Sequence, residues 1–134
     1  PLKGRADLFV TEGPGNAPLA IVAWGSLSGI TMEALQLARE AGLQVKALIP
    51  RLLYPVAEEV YRDFFASVQR GLVVEQSHQG QLYRLIRMYV EVPKGLEPFA
   101  RSGSNPFSPV EIVERLRAQA RAILEERQPV SQAE

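Results

Sequence analysis

A carboxylate, an imidazole and a glycine lie close together in the sequence, where an apolar strand is predicted to end and a helix to begin. The segment reads Val74-Glu75-Gln76-Ser77-His78-Gln79-Gly80-Gln81. In α/β sheets, ligands and partners are met where the carboxyl end of a strand faces a helix N-terminus. Glu75 is predicted to accept hydrogen bonds there. The donors are either a ligand or neighbouring domain, or backbone N–H groups at the helix start near Gly80.

Gly25 and Ser26 mark a second junction of the same kind, between the apolar run 19–24 and a helix. Their backbone N–H groups can bind an anion, or the pair forms only a tight turn. The Gly-x-x-x-Gly spacing is neither a dinucleotide fingerprint nor a P-loop. His78 has no evident nucleophile or metal beside it, which favours a surface loop position over catalysis. Gln81 offers a donor and an acceptor to either an interface or its own loop.

Composition narrows the classes of function. The chain of 134 residues suits one domain, and its 15 basic and 15 acidic residues cancel, which argues against nucleic acid or an anionic membrane as partner. Without cysteine there is no disulfide, thiolate zinc site or iron–sulfur cluster, and one histidine excludes a multi-histidine metal site. No secretory signal or membrane-spanning run is expected, and a cytosolic location fits. The missing initiator Met indicates processing or a piece of a longer chain.

The elements that must position these residues alternate along the chain. Ser28 is expected to cap the first helix and Gly42 to end it, while Ser108, Pro109 and Glu111 form a capping box on the last. Pro98 has no N–H to donate, so the strand that contains it is predicted to lie at a sheet edge. The pattern β-β-α-β-α-β-α-β-α implies parallel strands with helices on both faces. Predicted strands cover residues 8–11, 19–24, 43–49, 71–75 and 95–100, and predicted helices about 29–41, 56–66, 79–90 and 109–127.

Four strand ends together resemble a known family. They read Ala23-Trp24-Gly25-Ser26, then Leu53-Tyr54-Pro55, then Val74-Glu75 followed by Gly80-Gln81-Leu82, and finally Ser104-Asn105-Pro106-Phe107 with Glu111-Ile112. In this order the chain is similar, from about residue 17 to 112, to the transketolase C-terminal-like domain of 2-oxoacid:ferredoxin oxidoreductases. This is domain II of their α subunit.

The resemblance implies a three-layer α/β/α fold. Its five strands would take the order 1-3-2-4-5, with the first strand antiparallel at an edge. In this order the chain adds strands first on one side of the second strand and then on the other. The crevice at that reversal, called the switch crevice, would lie between the ends of the second and fourth strands. The residues expected to line it, as an interface or ligand crevice, are Gly25, Ser26, Glu75, Gln76, His78, Gly80 and Gln81.

The resemblance also implies a role. The whole enzyme oxidatively decarboxylates a 2-oxoacid with thiamine diphosphate, Mg, coenzyme A, iron–sulfur clusters and ferredoxin. This domain is expected to hold no catalytic residue, metal or cofactor, and to pack in the cytoplasm against other domains of the α subunit and a β subunit. Residues 1–127 would form the domain and 128–134 a loose tail. The alternative is an independent α/β module that binds a nucleotide or small anion at the crevice.

Overall fold

Apolar runs separated by amphipathic helices form the interior of the sheet. The computed structural model describes residues 9–24, 27–51, 57–76, 81–101 and 107–127. Within these ranges the strands are β1 (Phe9–Glu12), β2 (Leu19–Ala23), β3 (Val45–Pro50), β4 (Arg70–Glu75) and β5 (Gly95–Ala100). The helices are α1 (Ser28–Glu40), α2 (Glu58–Phe65), α3 (Gln81–Tyr89) and α4 (Pro109–Arg127).

The five strands form one sheet in the order β1-β3-β2-β4-β5. β1 pairs antiparallel with β3, and the other three pairings are parallel. This confirms the predicted order and the antiparallel edge strand. β5 lies at the opposite edge and has a neighbouring strand on one side only. This is the position in a sheet where a proline, which lacks an N–H, is tolerated.

Two apolar clusters cover the two faces of the sheet. Alternation along β2 sends Leu19, Ile21 and Ala23 into a cluster with α1 and α4, while Ala20 and Val22 join α2 and α3 on the other face. All five residues of β2 are buried, as expected of a central strand with helices on both sides. The layers are therefore α1 and α4, the sheet, and α2 and α3.

Of the three helix ends predicted from cap or stop residues, two are confirmed. The N–H of Leu43 bonds to the carbonyl of Ala38 at 2.9 Å, and Gly42 has φ of 83°, which together close α1 in a Schellman motif. At α4, Ser108 Oγ accepts from the Val110 N–H at 3.1 Å, and Glu111 Oε1 accepts from the Ser108 N–H at 3.1 Å. Together these bonds confirm the predicted cap, with the Glu111 bond of a capping box and the hydroxyl bonded at the second helical residue instead of the third.

The predicted cap of α1 by Ser28 is wrong. Ser28 is the first helical residue, and Leu27 stands at the N-cap position without a side-chain cap hydrogen bond. Leu27 is buried in the α1–α4 cluster, so core packing rather than a hydroxyl places the start of this helix. Other boundaries shift by one or two residues: β2 ends before Trp24, and β3 begins at Val45 because the Schellman motif uses Leu43. Pro50, predicted to follow β3, is its last residue and pairs with Phe9.

Buried polar side chains hold the amino edge of the sheet. Lys46 Nζ donates to the Gly15 carbonyl at 2.9 Å and lies 4.6 Å from the ring centre of Phe64. Burial lowers the pKa of the Lys46 ammonium. Gln119 Nε2 donates to the carbonyls of Gly71 and Gly95, at 2.9 and 3.3 Å. These bonds tie α4 to the first residues of β4 and β5.

Candidate functional site

The sequence predicts a switch crevice between the carboxyl ends of β2 and β4. These strands are parallel neighbours with Ala23 opposite Val74, and Glu75 at the end of β4 lies opposite Ala100 of β5. Three of the seven predicted site residues, Glu75, Gln76 and Gln81, fall within the described ranges. The other four, Gly25, Ser26, His78 and Gly80, lie outside the described residues, as do the resemblance segments 53–55 and 104–106 and the tail 128–134.

Glu75 is buried, and its carboxylate faces the start of α3. Both carboxylate oxygens accept from the Leu82 N–H, at 2.9 and 3.0 Å, and Oε2 also accepts from the Tyr83 N–H at 3.2 Å. The first N–H groups of a helix have no partner within the helix, and a carboxylate there also matches the positive end of the helix dipole. Glu75 therefore fixes the start of α3 against the end of β4.

Gln76 and Gln81 are both exposed; one directly follows β4 and the other begins α3. The Gln76 amide donates to the Arg101 carbonyl at 3.4 Å, and the Arg101 N–H donates to the Glu75 carbonyl at 3.1 Å. The ends of β4 and β5 are thus held together by backbone and side-chain bonds. Gln81 is the first residue of α3, so its exposed amide lies at the rim of the edge.

Arg101 is the residue of this edge that the sequence reasoning missed. Its guanidinium makes a paired contact with the Glu111 carboxylate, the same carboxylate that caps α4. It lies 5.3 and 5.0 Å from the ring centres of Phe99 and Phe107, which meet edge to face. The Arg101 hydrogen bonds are the main cause that lowers the pKa of Glu111. The one sequence signal for this cluster is an arginine directly after a predicted strand, two residues after Phe99.

A cavity of about 470 Å³ opens at the same edge, on the β3 side of β2. Most of its lining residues are apolar, and Ser28 and Arg51 also line it. Trp24 is half-buried and lines this cavity rather than lying wholly in the core. The full lining consists of Val10, Trp24, Ser28, Met32, Ile49, Pro50 and Arg51.

Two kinds of site find no support in the described ranges. There, no group of three His, Asp or Glu side chains is placed to hold a metal ion. None of the described helices is both long and apolar enough to cross a membrane. The carboxyl edge thus combines capped helix starts, exposed amides and an apolar cavity, which suits binding and contact better than acid–base chemistry.

Comparison with known proteins identifies the family of this chain and the wider group of proteins that share its fold. The model of the pyruvate:ferredoxin oxidoreductase core domain II matches residues 17–112. The chain belongs to this family. The fold alone is shared more widely: a split-gene transketolase, described as an inactive β4 tetramer, superimposes with a TM-score of 0.65 at 13% identity, over 87% of this chain and 41% of that one.

Two relatives indicate the kind of enzyme in which such a domain occurs. The α subunit of 2-oxoacid:ferredoxin oxidoreductase 2 from Aeropyrum pernix is 31% identical over 62% of this chain and 13% of its own length. The 2-oxoglutarate:ferredoxin oxidoreductase from Magnetococcus marinus, solved with 2-oxoglutarate, coenzyme A and succinyl-CoA, is 36% identical with a TM-score of 0.76. That match covers 82% of this chain and 19% of the solved one. This chain therefore spans less than a fifth of either relative.

Proposed function

We propose that this chain is the C-terminal structural and interaction domain of a 2-oxoacid:ferredoxin oxidoreductase α subunit. The observation that carries the proposal is the family match over residues 17–112, combined with coverage of only 13% and 19% of the two relatives. A chain that matches one domain of a much longer subunit has the role of a domain. The assignment of residues 1–127 to this domain and 128–134 to a tail is part of the proposal.

In this proposal the chemistry of the assembly lies outside this chain. The complex would oxidatively decarboxylate a 2-oxoacid to an acyl-CoA, using thiamine diphosphate, Mg, iron–sulfur clusters, coenzyme A and ferredoxin in the cytoplasm. The chain has no cysteine and so offers no thiolate to a cluster. Glu75, the buried acid of the candidate site, accepts bonds from the α3 backbone, which supports a positioning role over a catalytic one.

The crevice residues would make the contact with neighbouring domains. Gln76 and Gln81 are exposed at the carboxyl edge and carry both donors and acceptors, as polar interface residues do. Gly25, Ser26, His78 and Gly80 are proposed to complete that contact beside Glu75. The partners would be other domains of the same α subunit and a β subunit, with ferredoxin as the electron acceptor of the whole complex.

Co-purification from the native source tests the proposal. The gene encoding this chain is tagged, and mass spectrometry measures the length of the bait and identifies its partners. A bait longer than this chain, together with a thiamine-diphosphate and iron–sulfur subunit and 2-oxoacid-dependent ferredoxin reduction, is the expected result. A bait of this length without such a subunit, or turnover of a 2-oxoacid by this chain alone, would overturn it.

A variant pair connects the result to the carboxyl edge. Gln76→Arg with Gln81→Arg should reduce recovery of the neighbouring subunit, whereas Arg117→Ala with Arg121→Ala on exposed α4 positions should not. Calorimetric titration of this chain with nucleotides and coenzyme A tests the alternative. Binding tighter than millimolar would favour the independent ligand-binding module.

A further inference from the structure

The outer surface of α3 is positively charged. α3 contains Arg84 and Arg87, both exposed, and no acidic residue. Within the part of the chain that the structure describes, neither arginine forms an ion pair, and Arg87 lies over the ring of Tyr83 at 5.4 Å. Beside them Met88 is 73% exposed, the highest value among the large apolar side chains described.

The outer surface of α2, in the same layer, is negatively charged. Glu59 and Asp63 are exposed and one helical turn apart, so they share one face. The single arginine of this helix, Arg62, forms an ion pair with Glu58 at 3.1 Å. Three acidic residues against one arginine leave α2 with a net charge of −2, where the two arginines of α3 make +2.

The two helices run in the same direction. Each connects parallel strands of the sheet, and both pack into the same apolar cluster. A two-fold axis parallel to the helices and between them therefore places α2 of one copy over α3 of the other, with every contact made twice. Glu59 and Arg84 each stand at the centre of an outer face, opposite the buried positions of their helix.

A groove at the ends of α2 and α3 adds to the match between their charges. It has a volume of about 390 Å³ and lies where α2 ends and β5 is approached, near the C-terminal ends of both helices. Met88 occupies the last turn of α3, three residues before Glu91 in the groove lining. The groove is lined by the apolar residues Phe65, Ala66, Val68, Val92 and Pro93 together with Arg62 and Glu91. An unbranched thioether side chain can pack against the apolar part of this lining.

From this complementarity we infer that the surface formed by α2 and α3 docks a second copy of the same chain. The acidic face of α2 meets the basic face of α3 from the partner copy, and each Met88 enters the groove of the other. The inference does not depend on the proposed oxidoreductase role. It concerns how copies of this chain associate, whereas co-purification reports which other subunits are present.

Sedimentation velocity of the 134-residue chain tests the inference, with circular dichroism to confirm that each variant is folded. We expect a concentration-dependent dimer at low salt that weakens at high salt, since paired surface charges are screened. Arg84→Glu with Arg87→Glu should weaken dimerisation at least about tenfold, and so should Glu59→Arg with Asp63→Arg. Mixing the two variants should restore a dimer made of one copy of each. Met88→Ala should weaken the dimer without changing its salt dependence.

Arg117→Glu with Arg121→Glu is the matched control for the α3 variant. It makes the same charge change on exposed positions of α4 and should leave the dimer intact. A chain that stays monomeric at the highest soluble concentration overturns the inference. So does a dimer that the α2 and α3 reversals leave unchanged. Failure of the mixed variants to associate would assign the surface to a different partner and also overturns it.

Discussion

The two edges of the sheet satisfy their backbone groups with side chains of opposite character. At the carboxyl edge, the Glu75 carboxylate accepts from N–H groups of α3, and Glu111 accepts from the N–H of Ser108. At the amino edge, an ammonium and an amide, Lys46 and Gln119, donate to backbone carbonyls. Helices that follow parallel strands begin at the carboxyl edge with unpaired N–H groups, so anionic side chains are favoured there.

The edges also differ at β4, which is closely packed at its start and borders exposed side chains at its end. At the amino edge a Cβ on Gly71 would lie 2.5 Å from the Ala20 carbonyl oxygen, so this edge accepts no added atom there. The carboxyl edge exposes Gln76 and Gln81 and opens a cavity of about 470 Å³. At Gly71 the amino edge is closely packed, whereas the carboxyl edge leaves two amide side chains exposed near an open cavity.

The largest effect is expected where the amino edge is tightest. Gly71→Ala should lower the free energy of unfolding by about 3 kcal/mol, because the new methyl group meets the backbone of β2, a central strand that cannot move aside. Urea unfolding followed by circular dichroism measures this. Gly29→Ala is the matched control: a Cβ there meets nothing within 4 Å, and the change should raise stability by up to about 1 kcal/mol. Similar results for both variants would contradict the tightness of this edge.

Loss of the carboxylate at the other edge should rank second. Glu75→Ala leaves the buried N–H of Leu82 without its acceptor and should cost about 2 kcal/mol. Glu75→Gln keeps one acceptor oxygen and should cost roughly half as much. Urea unfolding and amide hydrogen exchange at Leu82 report the effect, with exposed Gln81→Ala as a control that should change stability by less than about 0.5 kcal/mol. Unchanged exchange at Leu82 in Glu75→Ala would remove the capping role.

Lys46 allows a pH test of the amino edge. Burial lowers its pKa below the ordinary 10.5, so at alkaline pH the unfolded chain keeps a proton that the folded chain has lost. Stability from this group therefore rises with pH between the folded pKa and 10.5. Lys46→Met should remove that rise while changing stability at neutral pH by no more than about 1 kcal/mol. Unfolding measured over alkaline pH checks it, with exposed Lys94→Met as control; equal slopes for wild type and Lys46→Met would refute the burial effect.

Glu111 provides the corresponding acidic test at the carboxyl edge, with the smallest expected effect because the side chain is partly exposed. Arg101 lowers its pKa below the ordinary 4.5, so its contribution is full above that value and is lost as the pH falls through the folded pKa. Glu111→Gln should therefore show a weaker loss of stability on acidification than the wild type. Thermal unfolding at a series of acidic pH values measures the difference. Exposed Glu114→Gln should behave like the wild type, and an identical profile for Glu111→Gln would argue against the ion pair.

Local signals were read correctly where a few neighbouring residues decide the structure. The capping box at Ser108 and Glu111 and the Gly42 stop depend on contacts within five residues of the chain, and the structure confirms both. Ser28 shows the limit of such reasoning, because the burial of Leu27 overrides the preference of a hydroxyl for the cap position. Arg101 was missed because its acid partner, Glu111, lies ten residues further along the chain.

By itself the sequence determined the alternation of strands and helices, the edge position of Pro98 and the family. Each of these follows from hydrophobic period, turn residues or motif order. Only the tertiary structure decided which N–H groups bond to Glu75 and how Arg101 joins the end of β4 to the start of α4. It also decided that α2 and α3 present opposite charges side by side. The bonds of Glu75 and Arg101 span seven and ten residues of the chain, and the charged faces of α2 and α3 lie on separate helices, so all three features depend on how the helices pack on the sheet.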